Sequence, residues 1–352
     1  MTERWVLLLD PPRGDASRVV GGLAVAKRLA LDAQAAGAEA VVAPPDLRTI
    51  PADRRLKIPI IAHAPEGANV VRIPASFVVH RQLFKALGGA SRNLDDDPFP
   101  LDVPWGFEPV DVVDGAAAAS AERALFQSLR KTQDGWTSRW LNRYISLAVS
   151  RLLVKTPLTP NQVSVGILAI GILAAVLAAR GSWGAMALGA FLFQAQSVLD
   201  GCDGELSRIT HRGSLLGEWL DTIGDDVTNY GFFAGAAWGL YAQSGHKLYL
   251  VAGAVTVLCG VITSAIEYRY LVKIGSGDLL KYPISAGGGG EEGGVFSKIQ
   301  PLFKRDTFVF LTFLAALIGL LGPMLVIFSL GAIGILITVI LAELRMARER
   351  RV

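Results

Sequence analysis

The 352 residues are 51% hydrophobic and 18% charged, with a mean hydropathy of +0.41. That apolar load exceeds what a soluble protein normally carries and is concentrated after residue 160, so a polar head joined to a membrane segment is expected. A net charge of +3 with no dense Lys/Arg tract excludes a nucleic-acid footprint, and the two cysteines, Cys202 and Cys259, lie apart in apolar runs as packing residues.

Residues 1–112 read as a small α/β, Rossmann-like domain. Strands are expected at 5–10 (WVLLLD), 39–44 (EAVVAP), 58–64 (IPIIAHA) and 69–74 (NVVRIP). Charges on both sides of the short run WVLLLD mark it as a buried strand and not a signal peptide. Between the first two strands, GGLAVAKRLALDAQAAG repeats apolar residues at three- and four-residue spacing, which predicts an amphipathic helix. The Gly-, Asp- and Pro-rich stretch around Asp95, Asp96 and Asp97 reads as a solvated loop.

Residues 113–160 read as amphipathic helices beside the membrane. Trp136, Trp140 and Tyr144 interleave with Arg139, Arg143, Arg151 and Lys155, a mixture suited to the membrane interface. From 161 to 352 the chain is expected to form an all-α polytopic membrane domain of six helices. Apolar stretches run at about 161–180, 184–205, 213–240, 247–270, 306–323 and 325–344, near the ~20 residues that span a bilayer. Basic residues cluster after the second, fourth and sixth stretches, which puts both termini on the cytoplasmic side. The run SAGGGGEEGG between the fourth and fifth reads as a cytoplasmic linker.

The stretch LDGCDGELSRITHRGSLLGEWLDTIGDD sets seven acids into 28 residues beside these apolar runs. Asp200 and Asp203 are three apart, and Asp221 and Asp225 four apart, so each pair shares a helix face. The basic turn at 208–212 places both pairs at the cytoplasmic ends of their helices. Four close carboxylates repel unless a cation joins them, and an all-oxygen set suits Mg²⁺ or Mn²⁺. Glycines at 201, 204, 213 and 217 leave room for a ligand near the backbone, and Arg208 suits phosphate oxygens. A metal-assisted diphosphate site and an ion pathway in a transporter both remain open on spacing alone.

Asp200, Asp203, Gly204, Ser207, Arg208, Gly217, Asp221 and Asp225 reproduce the spaced signature of the CDP-alcohol phosphotransferase family, with Ser207 where the family usually has Ala. TPLTPNQVS, ahead of the first apolar stretch, also resembles the family's approach to its membrane domain. The resemblance spans roughly 130–352. It implies a six-helix, homodimeric enzyme of the inner membrane, with a cytoplasmic active site, that uses one or two Mg²⁺ or Mn²⁺ ions. Such an enzyme takes a CDP-linked donor, CDP-diacylglycerol or a CDP-inositol-like compound, and an alcohol acceptor, and releases CMP. Carried over by position, Asp200, Asp203, Asp221 and Asp225 are metal ligands, and Asp225 is also the general base. Asn161, Gly204, Ser207, Arg208 and Gly217 would shape the nucleotide and diphosphate site, while Glu205, Glu218 and Asp226 stand outside the signature. A catalytically inactive member, or a transporter-like protein binding ions through these acids, is the contrasting expectation.

The first 112 residues resemble the nucleotidyltransferase-like domains fused to some members that make inositol phosphodiesters. The Gly-rich phosphate loop and the Lys-Pro of an active nucleotidyltransferase are both missing, which implies a degenerate domain. Arg269, Lys304 and Arg305 have two readings: contacts to a phosphorylated acceptor such as inositol phosphate, or topological and lipid-headgroup charge.

Overall fold

WVLLLD forms β1 (Trp5–Asp10), the central strand of a parallel sheet in the computed structural model, which describes residues 4–48, 53–86, 92–93, 107–130, 137–283 and 305–349. The chain divides into two compact units. The first comprises Met1–Thr132, Arg151–Pro157 and Arg208–His211; the second comprises Gln133–Ser150, Leu158–Ser207 and Arg212–Val352.

In the first unit, β1 is followed by a small hairpin of β2 (Val19–Val20) and β3 (Leu23–Ala24), then by α1 (Val25–Ala35) and β4 (Ala40–Val42). Next come β5 (Ile60–Ile61), β6 (Asn69–Pro74), β7 (Phe77–Val78), α2 (Gln82–Ala86), β8 (Arg92–Asn93), β9 (Val110–Asp111) and α3 (Gly115–Gln127). The sheet order is β5-β4-β1-β6-β8, all parallel, with β1 aligned Val6 to Ala40 on one side and Val6 to Val70 on the other. Growth outward from β1 in both directions is the doubly wound pattern expected of an α/β domain. A strand buried on both faces reads as a continuous apolar run, which is why β1 was legible as written. Leu7, Leu9, Val41, Val71 and Ile73 pack with Ala26, Leu29, Ala30 and Ala33 of α1.

This unit also holds the segment Arg208–His211. Buried Arg28 donates to the carbonyls of Val20 (2.8 Å), Gly21 (3.0 Å) and Ile209 (2.9 Å). Arg55, clamped on Asp53 at 2.7 Å, donates to the Thr210 carbonyl, and His211 Nε2 lies 3.3 Å from Asp32 Oδ1. Cationic groups therefore meet the orphan carbonyls at a helix C-terminus, where the backbone dipole favours them.

The second unit is helical. A single π turn at Ser138–Asn142 leads into α4 (Arg143–Leu153). Then follow α5 (Pro160–Ala178), α6 (Trp183–Leu199), α7 (Gly201–Thr210), α8 (Leu215–Ser244), α9 (Lys247–Ile274), α10 (Arg305–Leu317) and α11 (Leu321–Glu349). TPNQ starts α5 cleanly: Thr159 and Gln162 form a reciprocal capping box and Pro160 occupies the first turn, where its missing N–H costs nothing. Ser214 caps α8 by accepting from Gly217 N at 3.0 Å.

Helices stand at all six apolar stretches, with two boundary differences. The stretch 184–205 is not one helix: α6 stops at Leu199, Asp200 takes a turn, and α7 restarts at Gly201. Glycines at 201 and 204 weaken helix continuity there. The last two helices separate at Gly319 (φ 76), ahead of Gly322-Pro323, and Pro323 is tolerated inside the first turn of α11. Three helices are long and apolar enough to cross a membrane: Pro160–Ala178, Lys247–Ile274 and Leu321–Arg348. By contrast α6 has 17 residues and α10 has 13, and α8 carries Glu218, Asp221, Asp225 and Asp226. The linker SAGGGGEEGG, the Asp95–97 cluster and Trp136 lie outside the described residues.

α4 also refines the interfacial reading. Trp140, just before it, is 70% exposed, and Tyr144, Ile145 and Leu152 are exposed too, which leaves an apolar face open. Arg143 does not join them; it turns inward to Glu205.

The helical core is centred on Phe193, which stacks on Phe232 at 4.4 Å and meets Phe233 edge-on. α5 packs against α6 and α8 at very short range. A Cβ at Gly235 of α8 would fall 2.4 Å from the Ala175 carbonyl oxygen, a backbone atom that cannot rotate away. Gly166 of α5 faces open space. Gly235→Ala should therefore lower the thermal midpoint of the detergent-solubilised protein. Gly166→Ala should hold or raise it, because Ala gains about 1 kcal/mol of helix propensity over Gly. Circular-dichroism melts of the two variants check the contrast.

Candidate active site

Arg305, the first residue of α10, organises the acidic cluster. Its Nη1 lies 2.9 Å from Asp200 Oδ2 and 2.9 Å from Asp225 Oδ1. Its Nη2 donates to Gln196 Oε1 at 2.8 Å and its Nε to Asn229 Oδ1 at 3.4 Å. One guanidinium thus joins α6, the Asp200 turn and α8. Helical spacing explains the set, since Gln196 stands four residues before Asp200 and Asn229 four after Asp225, which stacks each pair on one face. Asp221, one turn earlier on α8, is exposed and carries its charge close to Asp225 and Arg305.

Asp203 is held differently. It is 7% exposed on α7 and accepts from the Ser164 hydroxyl of α5 through Oδ2. The Gly204 N–H donates to its Oδ1 at 2.5 Å. Ser164 sits one helical turn from Asn161. Asn161 in turn covers Gly217 at the start of α8: a Cβ added at Gly217 would lie 2.9 Å from Asn161 Oδ1 and 3.2 Å from Ser214 Oγ. Only a residue without a side chain keeps that approach open. Ser207 similarly faces Gly213, whose added Cβ would lie 3.1 Å from Ser207 Oγ.

Other residues singled out by sequence are placed elsewhere. Arg208 occupies the last turn of α7. Arg269 is exposed on α9 with no ion pair to the cluster among the described residues, and Lys304 lies outside them. Glu218 and Asp226 serve as fastenings. Glu218 Oε2 accepts from Ser276 Oγ and Gly277 N, both at 2.9 Å, and Asp226 Oδ2 accepts from Tyr268 OH at 2.6 Å.

The acids form a hard, all-oxygen donor set of the kind that Mg²⁺ and Mn²⁺ accept. Asp225 Oδ1 is buried and, though within ion-pair distance of Arg305, has no aligned hydrogen bond. Among the described residues no three acidic, histidine or cysteine side chains converge tightly enough to enclose a metal as they stand. The need for positive charge between Asp200 and Asp225 is met here by the guanidinium. The donor chemistry and the orphaned carboxylate oxygen both fit a divalent cation.

Three participants went unread in the sequence: Ser164, Gln196 and Asn229. Polar residues at four-residue spacing from signature acids were the available signal for Gln196 and Asn229. Removing Arg305 should expose the repulsion it offsets. Arg305→Ala is expected to lose about 1.5–3 kcal/mol of stability in chelator, as charge-assisted hydrogen bonds disappear. Mn²⁺ should then raise its thermal midpoint by more than it raises the parent's, as read by melts with and without the ion.

A family model described as CDP-alcohol phosphatidyltransferase matches residues 157–344, just over half of the chain. Among curated relatives, a protein of Thermococcus kodakarensis named bifunctional IPC transferase and DIPP synthase is 36% identical over 151 residues, covering 43% of this chain and 33% of its own length. One of the same name from Rubrobacter xylanophilus is 40% identical over 128 residues, covering 35% and 28%. The chain thus spans about a third or less of the curated relatives it matches. Among solved structures, phosphatidylinositol phosphate synthase of Mycobacterium tuberculosis with CDP-DAG bound aligns with a TM-score of 0.43 and 17% identity, over 56% of this chain and 92% of that one. With the signature acids, Gly217 and Arg208 all inside the matched region, the chain belongs to the CDP-alcohol phosphatidyltransferase family.

Proposed function

We propose that the protein is an integral membrane CDP-alcohol phosphotransferase that moves a substituted phosphate from a CDP-linked donor to an alcohol and releases CMP. The observation that carries this reading is the grouping of Asp200 and Asp225 about Arg305, in a stretch of chain that keeps the full signature spacing. The donor is CDP-diacylglycerol or a CDP-inositol-like compound, and the acceptor is an alcohol of the class that includes inositol phosphate. Relatives named bifunctional IPC transferase and DIPP synthase support the transferase reading.

Asp200, Asp203, Asp221 and Asp225 would hold one or two divalent ions, Mg²⁺ or Mn²⁺. Such an ion, when bound, neutralises charge on the diphosphate as the bond to CMP breaks. Asp225 takes the proton from the attacking hydroxyl; its buried Oδ1, paired with Arg305, has no aligned hydrogen bond and so keeps a lone pair for it. Ser164 orients Asp203. Asn161, seated against the backbone of Gly217, would face the nucleotide, with Gly204, Ser207 and Arg208 on the diphosphate side. Arg305, and with it Arg269 and Lys304, would meet a phosphorylated acceptor.

Six spans, cytoplasmic termini and active site, an inner-membrane location and a homodimer complete the reading. Residues 1–112 are proposed to form a degenerate nucleotidyltransferase-like domain. Pro11 and Pro12 follow β1, where a phosphate loop needs backbone N–H donors that proline lacks. Asp10 is already paired with Arg72 at 2.9 Å.

Asp225→Asn is expected to lower turnover by about 10²–10⁴-fold, the usual worth of a general base, while largely sparing donor binding. CMP release by purified protein, with Mg²⁺ or Mn²⁺ and a panel of CDP donors and polyols, tests both claims. No CMP across that panel would count against the transferase and in favour of ion binding alone. Near-normal turnover by Asp225→Asn would remove the base assignment.

A further inference from the structure

Glu205 has no place in the family signature, yet it is the most completely buried acid near the cluster, at 0% exposure. Three donors of one helix face surround it. Arg143 Nη1 donates to Oε1 at 2.6 Å, Ser146 Oγ to Oε1 at 2.9 Å and Ser150 Oγ to Oε2 at 2.7 Å. Positions 143, 146 and 150 follow the spacing that lines one side of α4. Cys202, one turn before Glu205, adds a contact from Sγ to the Ser146 carbonyl at 3.5 Å. One face of α7 is thereby fastened to α4.

Asp203 stands two residues before Glu205, so their directions differ by about 200° around the helix. Glu205 grips α4 on one side and Asp203 reaches Ser164 of α5 on the other. α7 is only ten residues long and follows α6 through Asp200, whose backbone angles stay helical (φ −51, ψ −36), so side-chain fastenings refine a rotation that the backbone sets only coarsely. Burying a charge pair is a poor way to gain stability alone, since apolar side chains of similar volume do as well or better. What the cage supplies is direction.

We propose that Glu205, through Arg143, Ser146 and Ser150, is a positioning residue that sets the rotation of α7 and so aims Asp203 into the acidic cluster. This rests on the transferase reading given above, in which Asp203 holds a divalent ion. Partners that orient metal ligands typically change metal affinity by about 10–100-fold when removed.

The test uses the full chain in detergent, with Mn²⁺ binding followed by electron paramagnetic resonance, CMP release and thermal midpoint measured together. Glu205→Ala should weaken Mn²⁺ binding about 10–100-fold. Glu205→Gln, which keeps an oxygen for the serines and loses the charge, should fall between it and the parent. The Ser146→Ala/Ser150→Ala double variant supplies a milder arm should Glu205→Ala fold poorly. Gly235→Ala, destabilised on α8 away from the cage, controls for lost stability and should keep parental Mn²⁺ affinity. Equal Mn²⁺ affinity in parent, Glu205→Gln and the serine double variant would overturn the role of Glu205, as would an equal loss in Gly235→Ala. A parent chain that binds no Mn²⁺ and releases no CMP would instead overturn the transferase reading, and this inference with it.

Discussion

Like charges held at close quarters govern the helical unit. Asp200, Asp203, Asp221 and Asp225 belong to three separate pieces of backbone, and each must be offset where it stands. Arg305 bridges two of them, Ser164 and the Gly204 amide hold the third, and Asp221 remains toward solvent. The offsets are of different kinds. A guanidinium cancels charge, whereas a hydroxyl or an amide only satisfies lone pairs and leaves the charge in place. The cluster is therefore partly neutralised, which keeps it attractive to further positive charge.

Rigid packing sustains that arrangement. α5 and α8 also meet at Gly171, where an added Cβ would fall 2.1 Å from the Thr228 side chain, so Ser164 and Asn161 on one helix keep a fixed distance from Gly217 and the acids on the other. The aromatic stack of Phe193 on Phe232 fixes α6 against α8 behind the same acids. Sites built on helices locked in this way hold geometry better than sites on loops.

Much of this was legible in the residues. WVLLLD and NVVRIP became strands with the boundaries read from them; in WVLLLD a central parallel strand buries both faces and leaves a near-continuous apolar run. TPNQ announced the start of α5 by its capping chemistry. Other features were hidden for physical reasons. The turn at Asp200 breaks an apolar stretch without a proline, and a glycine within a helical pattern does not say whether the helix bends or ends. Arg143 looked like its interfacial neighbours, since composition cannot tell which face an arginine turns to. Arg305 read as a contact to a phosphorylated acceptor or as topological charge between apolar stretches. Its pairing with Asp200 and Asp225 joins positions about a hundred residues apart in sequence, beyond the reach of any local pattern.

The turn at Asp200 keeps helical backbone angles, φ −51 and ψ −36, and its N–H still bonds to the Gln196 carbonyl at 2.9 Å. α6 and α7 therefore share one course of backbone. The acids at 200 and 203 take their directions from the aromatic stack on α6 as well as from the fastenings of α7. A change in how Phe193 packs would be felt at the acids.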